Sequence, residues 1–149
     1  MINRPWYRGA VMACYRGRLV RPDPVEPGPD SVILDGVMVS LDELDALFSE
    51  DMYFDWQGVE FQLGRYVDGR VAGNLWNVDA AWVAAHPEIE GDPYNGWGGW
   101  FPESDIENLR VVKYDLLAAW RHKKEVGTPA PHGLYAYERP ATAEEWVRD

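Results

Sequence analysis

The sequence predicts an α+β fold: a single domain of residues 1–149 with a mostly antiparallel sheet, built from a meander and hairpins, and three or four short helices packed on it. Short apolar runs alternate with polar residues, as half-buried strands do. Several pairs of runs are joined by two residues suited to a hairpin turn. Few stretches carry apolar residues at helical spacing. The chain is long enough to bury an ordinary core without disulfides or metal ions.

Hairpin turns are the clearest local signals in the first third of the chain. Residues 6–20 are predicted to form a hairpin around Arg16-Gly17, and residues 31–40 a second one around Asp35-Gly36. Between them, residues 21–30 contain four prolines. Proline fixes φ and cannot donate a backbone hydrogen bond, so it favours extended chain over helix. We expect this segment to be a surface strap rather than a linker between domains.

Strands are also predicted in the middle and near the end of the chain. Alternating runs after Met52 predict a three-stranded antiparallel meander with turns at Gln57-Gly58 and Asp68-Gly69. Residues 133–139 predict a closing strand.

Two short helices are predicted from capping residues in the first part of the chain. Ser40 and Glu43 form a capping box before leucines at helical spacing, which predicts an amphipathic helix over residues 41–49 with an acidic outer face. Asp79 is suited to cap a second helix, which ends before Pro87 because proline disfavours helical geometry in the preceding residue.

Two more helices are predicted in the second half of the chain. A capping box at residues 104–107 and apolar residues at steps of three or four predict a helix over residues 104–124. The β-branched pair Val111-Val112 leaves an alternative open, a strand over residues 110–114 followed by a shorter helix. A last helical turn is predicted to start at Thr142 and to contain Trp146.

The net charge restricts the partners of the chain. Against 14 lysines and arginines stand 25 acidic residues, which gives a formal charge of −11 and a pI near 4.6. An acidic field of this size repels nucleic-acid phosphates and anionic membranes, and it speeds association with cationic partners. We therefore expect a basic protein partner, and neither direct nucleic-acid binding nor membrane binding. Nothing in the composition predicts the oligomeric state.

The cellular compartment is predicted from cysteine use and from the lack of targeting signals. The lone Cys14 has no partner for an internal disulfide, which favours a reducing compartment. The early apolar run is too short for a signal peptide, and no run is long enough to span a membrane. The expectation is a cytoplasmic protein.

Catalytic motifs are absent from the sequence, so no catalytic, metal-binding or cofactor-binding residue is assigned. The chain contains no phosphate-binding glycine loop, HExxH, GxSxG or CxxC pattern, and its three histidines are widely separated. An enzyme is therefore the less favoured class. Carboxylates around Asp51, Asp55 and Glu60, and others beside a tryptophan-rich loop, leave a glycoside hydrolase open as an alternative, because such enzymes pair two carboxyl groups near aromatic sugar platforms.

The stretch GDPYNGWGGWFP, residues 91–102, combines flexible glycines with large aromatic side chains. Its rings either turn inward as a plug on the sheet or stand outward as a binding surface. Tryptophan and tyrosine surrounded by acidic groups are typical of interface hot spots for a basic partner. The candidate partner-binding residues are those of this loop and its acidic flanks, together with the acidic face of the helix predicted over 41–49: Tyr94, Trp97, Trp100, Phe101, Asp92, Glu103, Asp105, Asp42, Glu43 and Asp45.

These features favour a protein-binding inhibitor over an enzyme. A small, acidic, tryptophan-rich chain without catalytic motifs resembles, in general character, the immunity proteins of bacterial polymorphic toxins. The prediction is an immunity or antitoxin protein, bacterial or phage-encoded, that blocks a toxin or nucleic-acid enzyme by occlusion. Two alternatives stay open: a small-molecule or carbohydrate-binding domain, with or without hydrolase activity, and an accessory structural protein whose aromatic loop belongs to the core.

Overall fold

The computed structural model describes residues 10–25, 27–131, 133–142 and 145, and these residues divide into two compact units. Unit 1 contains residues 51–111, 139–142 and 145; unit 2 contains the rest. The single domain predicted from the sequence stays a prediction.

Eleven strands account for most of the regular structure in the described residues. The pairings with a defined register are all antiparallel. The strands are β1 (Val11–Tyr15), β2 (Arg18–Val20), β3 (Ser31–Leu34), β4 (Val37–Ser40), β5 (Ala46–Trp56), β6 (Val59–Val67), β7 (Arg70–Leu75), β8 (Glu90–Asp92), β9 (Gly96–Pro102), β10 (Glu107–Asp115) and β11 (Ala136–Pro140).

The predicted number of helices is wrong. The described residues contain two α-helices, α1 (Ala80–Ala84) and α2 (Leu116–Val126), and only the second has more than two turns. The described residues form a mostly antiparallel sheet with two helices, and not a sheet with three or four helices packed on it. None of its helices is long and apolar enough to cross a membrane.

The two hairpins predicted in the first third are confirmed for the described residues, and both lie in unit 2. Strands β1 and β2 pair around Arg16-Gly17, and β3 and β4 pair around Asp35-Gly36. All four turn residues have φ between 50° and 81°, as a type I′ turn requires. Strand β1 also pairs with the first residues of β5. The residues before Ala10, including the start of the first predicted hairpin, lie outside the described part.

The proline-rich segment is hydrogen-bonded to other parts of unit 2. The Asp23 backbone N donates to the Ile33 carbonyl at 2.9 Å. The Asp30 carboxylate accepts from Trp120 Nε1 at 2.8 Å and from Lys124 Nζ at 3.1 Å. These bonds connect the segment to β3 and α2, and the Trp120 hydrogen bond is the main reason that the pKa of Asp30 lies below its usual value.

The helix predicted over residues 41–49 is wrong. A single 3₁₀ turn, Leu41–Glu43, follows Ser40, whose Oγ accepts from Asp42 N at 3.4 Å, and β5 then begins at Ala46. Leu47 and Phe48 are neighbours in sequence and are both buried. A strand covered on both faces buries two such neighbours, and β1 supplies the backbone hydrogen bonds.

The long helix predicted over residues 104–124 is also wrong, and the alternative with a strand followed by a shorter helix is correct. Strand β10 contains Val111-Val112, both buried, and α2 begins directly after Asp115. Branching at Cβ favours the strand. Asp115 Oδ1 accepts from Ala118 N at 2.9 Å, so this side chain caps the helix.

The meander predicted after Met52 is confirmed and forms the centre of unit 1. Neighbouring strands there follow the order β10, β5, β6, β7, β9, β8. The helix predicted after Asp79 is confirmed as α1, with Asp79 Oδ1 accepting from Ala81 N at 3.0 Å. The predicted closing strand is confirmed in part as β11. Thr142 N donates to Glu145 at 2.9 Å, as predicted for a capping box, but Trp146 lies outside the described residues.

Aromatic rings fill the core of unit 1. Phe54, Phe61 and Phe101 are fully or almost fully buried, with ring centroids between 5.3 and 6.0 Å apart. Trp82 of α1 packs edge-on against Trp56 of β5 at 6.0 Å. Helix α1 therefore covers the face of the unit 1 sheet that carries these phenylalanines, which is called the inner face below.

Asp115→Ala is expected to lower the free energy of unfolding by about 1 kcal/mol, because it removes the N-cap of α2. Asp115→Asn is the matched control, since an amide oxygen in the same place also caps, and it should retain most of the stability. Urea unfolding followed by circular dichroism measures both. An equal loss in the two variants would contradict a capping role.

Candidate functional site

The tryptophan-rich stretch of residues 91–102 forms a hairpin of β8 and β9 with a short turn between them. Strand β9 pairs with β7 on one side and with β8 on the other. Side chains alternate along a strand. Trp97, Gly99 and Phe101 therefore share one face of β9, the inner face. Gly98 and Trp100 share the opposite face, the outer face. The rings of this stretch therefore point to both faces of the sheet.

Two of the predicted partner-binding residues belong to the core. Phe101 is 2% exposed and its ring stacks on Trp56 with centroids 4.5 Å apart. Trp97 is half-buried and packs against the same core. These two rings therefore turn inward as a plug on the sheet.

Three other rings of unit 1 are exposed. Tyr94, at the tip of the hairpin, is 94% exposed, and Trp100 is 43% exposed on the outer face of β9. Trp76, which directly follows β7, is 56% exposed and continues the alternation of Ala72 and Asn74 on that face. Its indole lies against Gly96, since a Cβ on Gly96 would be 2.6 Å from Trp76 Nε1.

A row of side chains crosses the outer face between the two tryptophans. The strand registers place Tyr53 beside Gln62, Gln62 beside Asn74, and Asn74 beside Gly98. Glu90 of β8 pairs with Gly98 from the other side and is exposed. Trp76, Asn74 and Glu90 were not predicted as site residues. The alternation of residues 72, 74 and 76 was the available signal for the first two.

Asp92 holds the hairpin turn together. Its Oδ1 accepts from Tyr94 N and Asn95 N, both at 2.8 Å, and its Oδ2 accepts from Asn95 Nδ2 at 3.0 Å. The Asn95 side chain, followed by the two backbone donors, lowers the pKa of Asp92 below its usual value. This carboxylate is suited to shaping the turn that presents Tyr94, and it is a poor proton donor.

The remaining predicted acids lie in two places. Glu103 and Asp105 are exposed on a 3₁₀ turn of unit 1 that follows β9, and Glu103 accepts from Tyr66 Oη at 2.6 Å. Asp42, Glu43 and Asp45 are exposed in unit 2, on and after the 3₁₀ turn that replaces the predicted helix. The amphipathic helix that was expected to present these three acids does not exist.

Asp55 and Glu60, two of the carboxylates considered for acid–base chemistry, are held by hydrogen-bond donors. Arg110 Nη1 is 3.2 Å from Asp55 Oδ1, and Arg110 Nη2 forms an ion pair with Glu60. Asn108 Nδ2 donates to Asp55 Oδ2 at 2.9 Å. Partial burial opposes the charge of Arg110, but the two carboxylates outweigh it and raise the pKa of the guanidinium further. This arrangement fits a structural charge cluster better than a general acid and base.

Charge is concentrated in unit 1. Residues 51–111 contain eleven aspartates and glutamates but only three arginines and no lysine, which gives a formal charge of −8. One of the three arginines is engaged with Asp55 and Glu60. The exposed rings of unit 1 therefore stand in a strongly acidic segment.

Among the residues that the structure describes, no group of three or more His, Cys, Asp or Glu side chains is placed to hold a metal ion. No protein-family model, curated protein or solved structure matches the chain.

Trp97→Ala and Trp100→Ala are expected to differ in stability although the two residues are separated by only two glycines. Removing the half-buried Trp97 ring should lower the free energy of unfolding by about 2–4 kcal/mol, because it leaves a cavity in the core. Removing Trp100 should change it by under about 1 kcal/mol. Urea unfolding of both variants tests this, and equal losses would show that Trp100 is also a core residue.

Asn95→Ala is expected to raise the pKa of Asp92 toward 3.8, since the Asn95 side chain is the main cause of the lowered value. The folded pKa lies below the unfolded one, so the stabilisation of the turn is present above about pH 4 and is lost as the pH falls through the folded pKa. NMR titration of the Asp92 carboxyl carbon measures the shift, with exposed Asn77→Ala as the control. An unchanged midpoint in Asn95→Ala would disprove this account.

Proposed function

We propose that the chain is an acidic protein-binding inhibitor of the immunity or antitoxin type, which binds a basic partner through the outer face of unit 1 and blocks it by occlusion. The observation that carries the proposal is the exposure of Trp76, Tyr94 and Trp100 within residues 51–111, which carry a formal charge of −8. Tryptophan and tyrosine are the residues that most often anchor protein interfaces.

Charge and aromatic surface have separate roles in this proposal. The acidic residues of unit 1 attract a basic partner and raise the rate of encounter. The rings then supply apolar contact area at little entropic cost, because each has only two side-chain torsions. Asp92 contributes indirectly, since its three hydrogen bonds fix the turn that carries Tyr94. A preformed turn lowers the cost of ordering on binding.

Carbohydrate binding is a second candidate, favoured by one specific arrangement. The Asn74 amide lies on the same face as the exposed Trp100 ring, and amides beside aromatic rings suit sugar hydroxyls and sugar faces. The hydrolase version has less support. Asp55 and Glu60 share one arginine, and Asp92 is engaged in its own turn.

Capture from lysates of the source cells by the immobilised chain, followed by mass spectrometry, is expected to recover a basic protein. Trp76→Ala and Trp100→Ala should each weaken its binding by about 2 kcal/mol, or roughly thirtyfold. Leu134→Ala is the matched control, because Leu134 is 49% exposed but belongs to unit 2. Isothermal titration with the purified partner measures the affinities.

Salt and activity complete the test of the proposal. Raising the salt from about 50 to 500 mM should weaken binding strongly, since exposed charges are screened beyond a few ångströms at high ionic strength. The activity of the captured partner should fall to background at equimolar chain. Salt-insensitive capture of a neutral sugar would instead support the second candidate. Full binding by both tryptophan variants would exclude this face as the interface.

A further inference from the structure

A recess surrounds Gly98 on the outer face of β9, because this residue has no side chain to cover the strand. Trp100 lies two residues along on the same face, and Trp76 covers Gly96 two residues in the other direction. Across the strands, Gly98 is paired with Asn74 of β7 and Glu90 of β8. The recess is thus bounded by two indoles along the strand and by an amide and a carboxylate across it.

The two indoles lie at opposite ends of this stretch of β9. Gly96 and Trp100 are four residues apart on an extended strand, which corresponds to about 13 Å between their Cα atoms. Both indoles are about half exposed although they lie on a sheet face. A side chain at position 98 would occupy this space, and its Cβ would also be 3.0 Å from the Gly73 carbonyl oxygen. The local packing therefore favours glycine there and keeps the recess open.

The polar sides of the recess carry hydrogen-bond acceptors. Asn74 Oδ1 is the amide atom nearest to Gly98, at 3.1 Å from where a Cβ would stand, whereas Asn74 Nδ2 is directed at Gly64. Glu90 on the opposite side is exposed, and its ionised carboxylate accepts hydrogen bonds and donates none. A ligand that fits here donates hydrogen bonds, is attracted by negative charge and lies against an aromatic face.

We propose that this recess binds an arginine side chain of the basic partner, an inference that rests on the proposed function and names the group recognised. A guanidinium is planar, stacks on indole faces and donates several hydrogen bonds in fixed directions. Its donors match Asn74 Oδ1 and the Glu90 carboxylate. The charge of −8 in residues 51–111 complements it. A lysine ammonium is a more strongly hydrated point charge and gains less from the two rings.

Two peptides of equal charge test the proposal directly on the full chain. Acetylated and amidated Gly-Arg-Arg-Gly is expected to bind about three- to fivefold more tightly than Gly-Lys-Lys-Gly. In NMR titrations the arginine peptide should shift the indole N–H signals of Trp76 and Trp100. The signal of buried Trp56 should stay in place. Equal affinities for the two peptides, or shifts spread over all acidic residues, would overturn the proposal.

Single substitutions distinguish recognition of arginine by the recess from attraction by the net negative charge. Glu90→Gln and Asn74→Ala should each reduce the preference for arginine to about twofold or less, because each removes one acceptor. Glu107→Gln removes the same charge from an exposed residue outside the recess and should keep the preference. Amide spectra that match the parent chain show that each variant is folded. Equal effects of Glu90→Gln and Glu107→Gln would mean that only net charge matters.

Failure of this inference and failure of the proposed function give different results. If the partner protein binds through Trp76 and Trp100 but the chain does not prefer the arginine peptide, the interface stands and the arginine recess is wrong. If the peptide preference is present but no basic protein is captured, the recess stands and the inhibitor function is wrong. A neutral sugar that shifts the same indole signals, with no response to either peptide, would overturn the arginine assignment in favour of a carbohydrate.

Discussion

The packing of aromatic rings against glycines on the inner face of unit 1 is the constraint on which the rest of the unit depends. A Cβ at Gly73 would lie 2.4 Å from the Phe54 ring, and one at Gly99 would lie 2.7 Å from the Phe101 ring. These strands can therefore approach the rings only because no side chain intervenes. The buried position of Phe101 fixes which face of β9 is turned inward, since a shift of one residue would expose every buried side chain of the strand.

The outer face follows from this inner packing. With Phe101 and Gly99 inside, Trp100 and Gly98 have to lie outside, and β7 places Asn74 beside them. The same alternation leaves Glu90 of the outermost strand next to Gly98. The exposed position of Trp100, beside Ala72 of β7, is therefore a consequence of how the core is built. The glycines of the GWGGW stretch, which suggest a flexible loop, are instead places where rings or backbone of neighbouring strands come close.

Local turn chemistry was readable from the sequence, but strand and helix assignment in the apolar segments was not. The Asp-Gly and similar pairs predicted four hairpin turns, and all four are present because positive φ at those positions depends on the turn residues themselves. The leucines of residues 41–49 have helical spacing, yet they also suit a strand that is covered on both faces. Pairing of β5 with β1, distant in sequence, decided the outcome. In β10, the β-branched Val111-Val112 and the cap at Asp115 carried the correct alternative.

The sequence by itself determined the hairpins, the acidic charge and the presence of an aromatic stretch whose rings had to lie either inside or outside. Those properties depend on the residues and on their nearest neighbours in the chain. Only the tertiary structure decided that Trp97 and Phe101 belong to the core while Trp100 is exposed. It also decided that Trp76, Asn74 and Glu90 lie on the same face as Trp100. Alternation along one strand can be read from a sequence. Which face is buried, and which residues of other strands lie beside it, depends on strand pairing between distant segments.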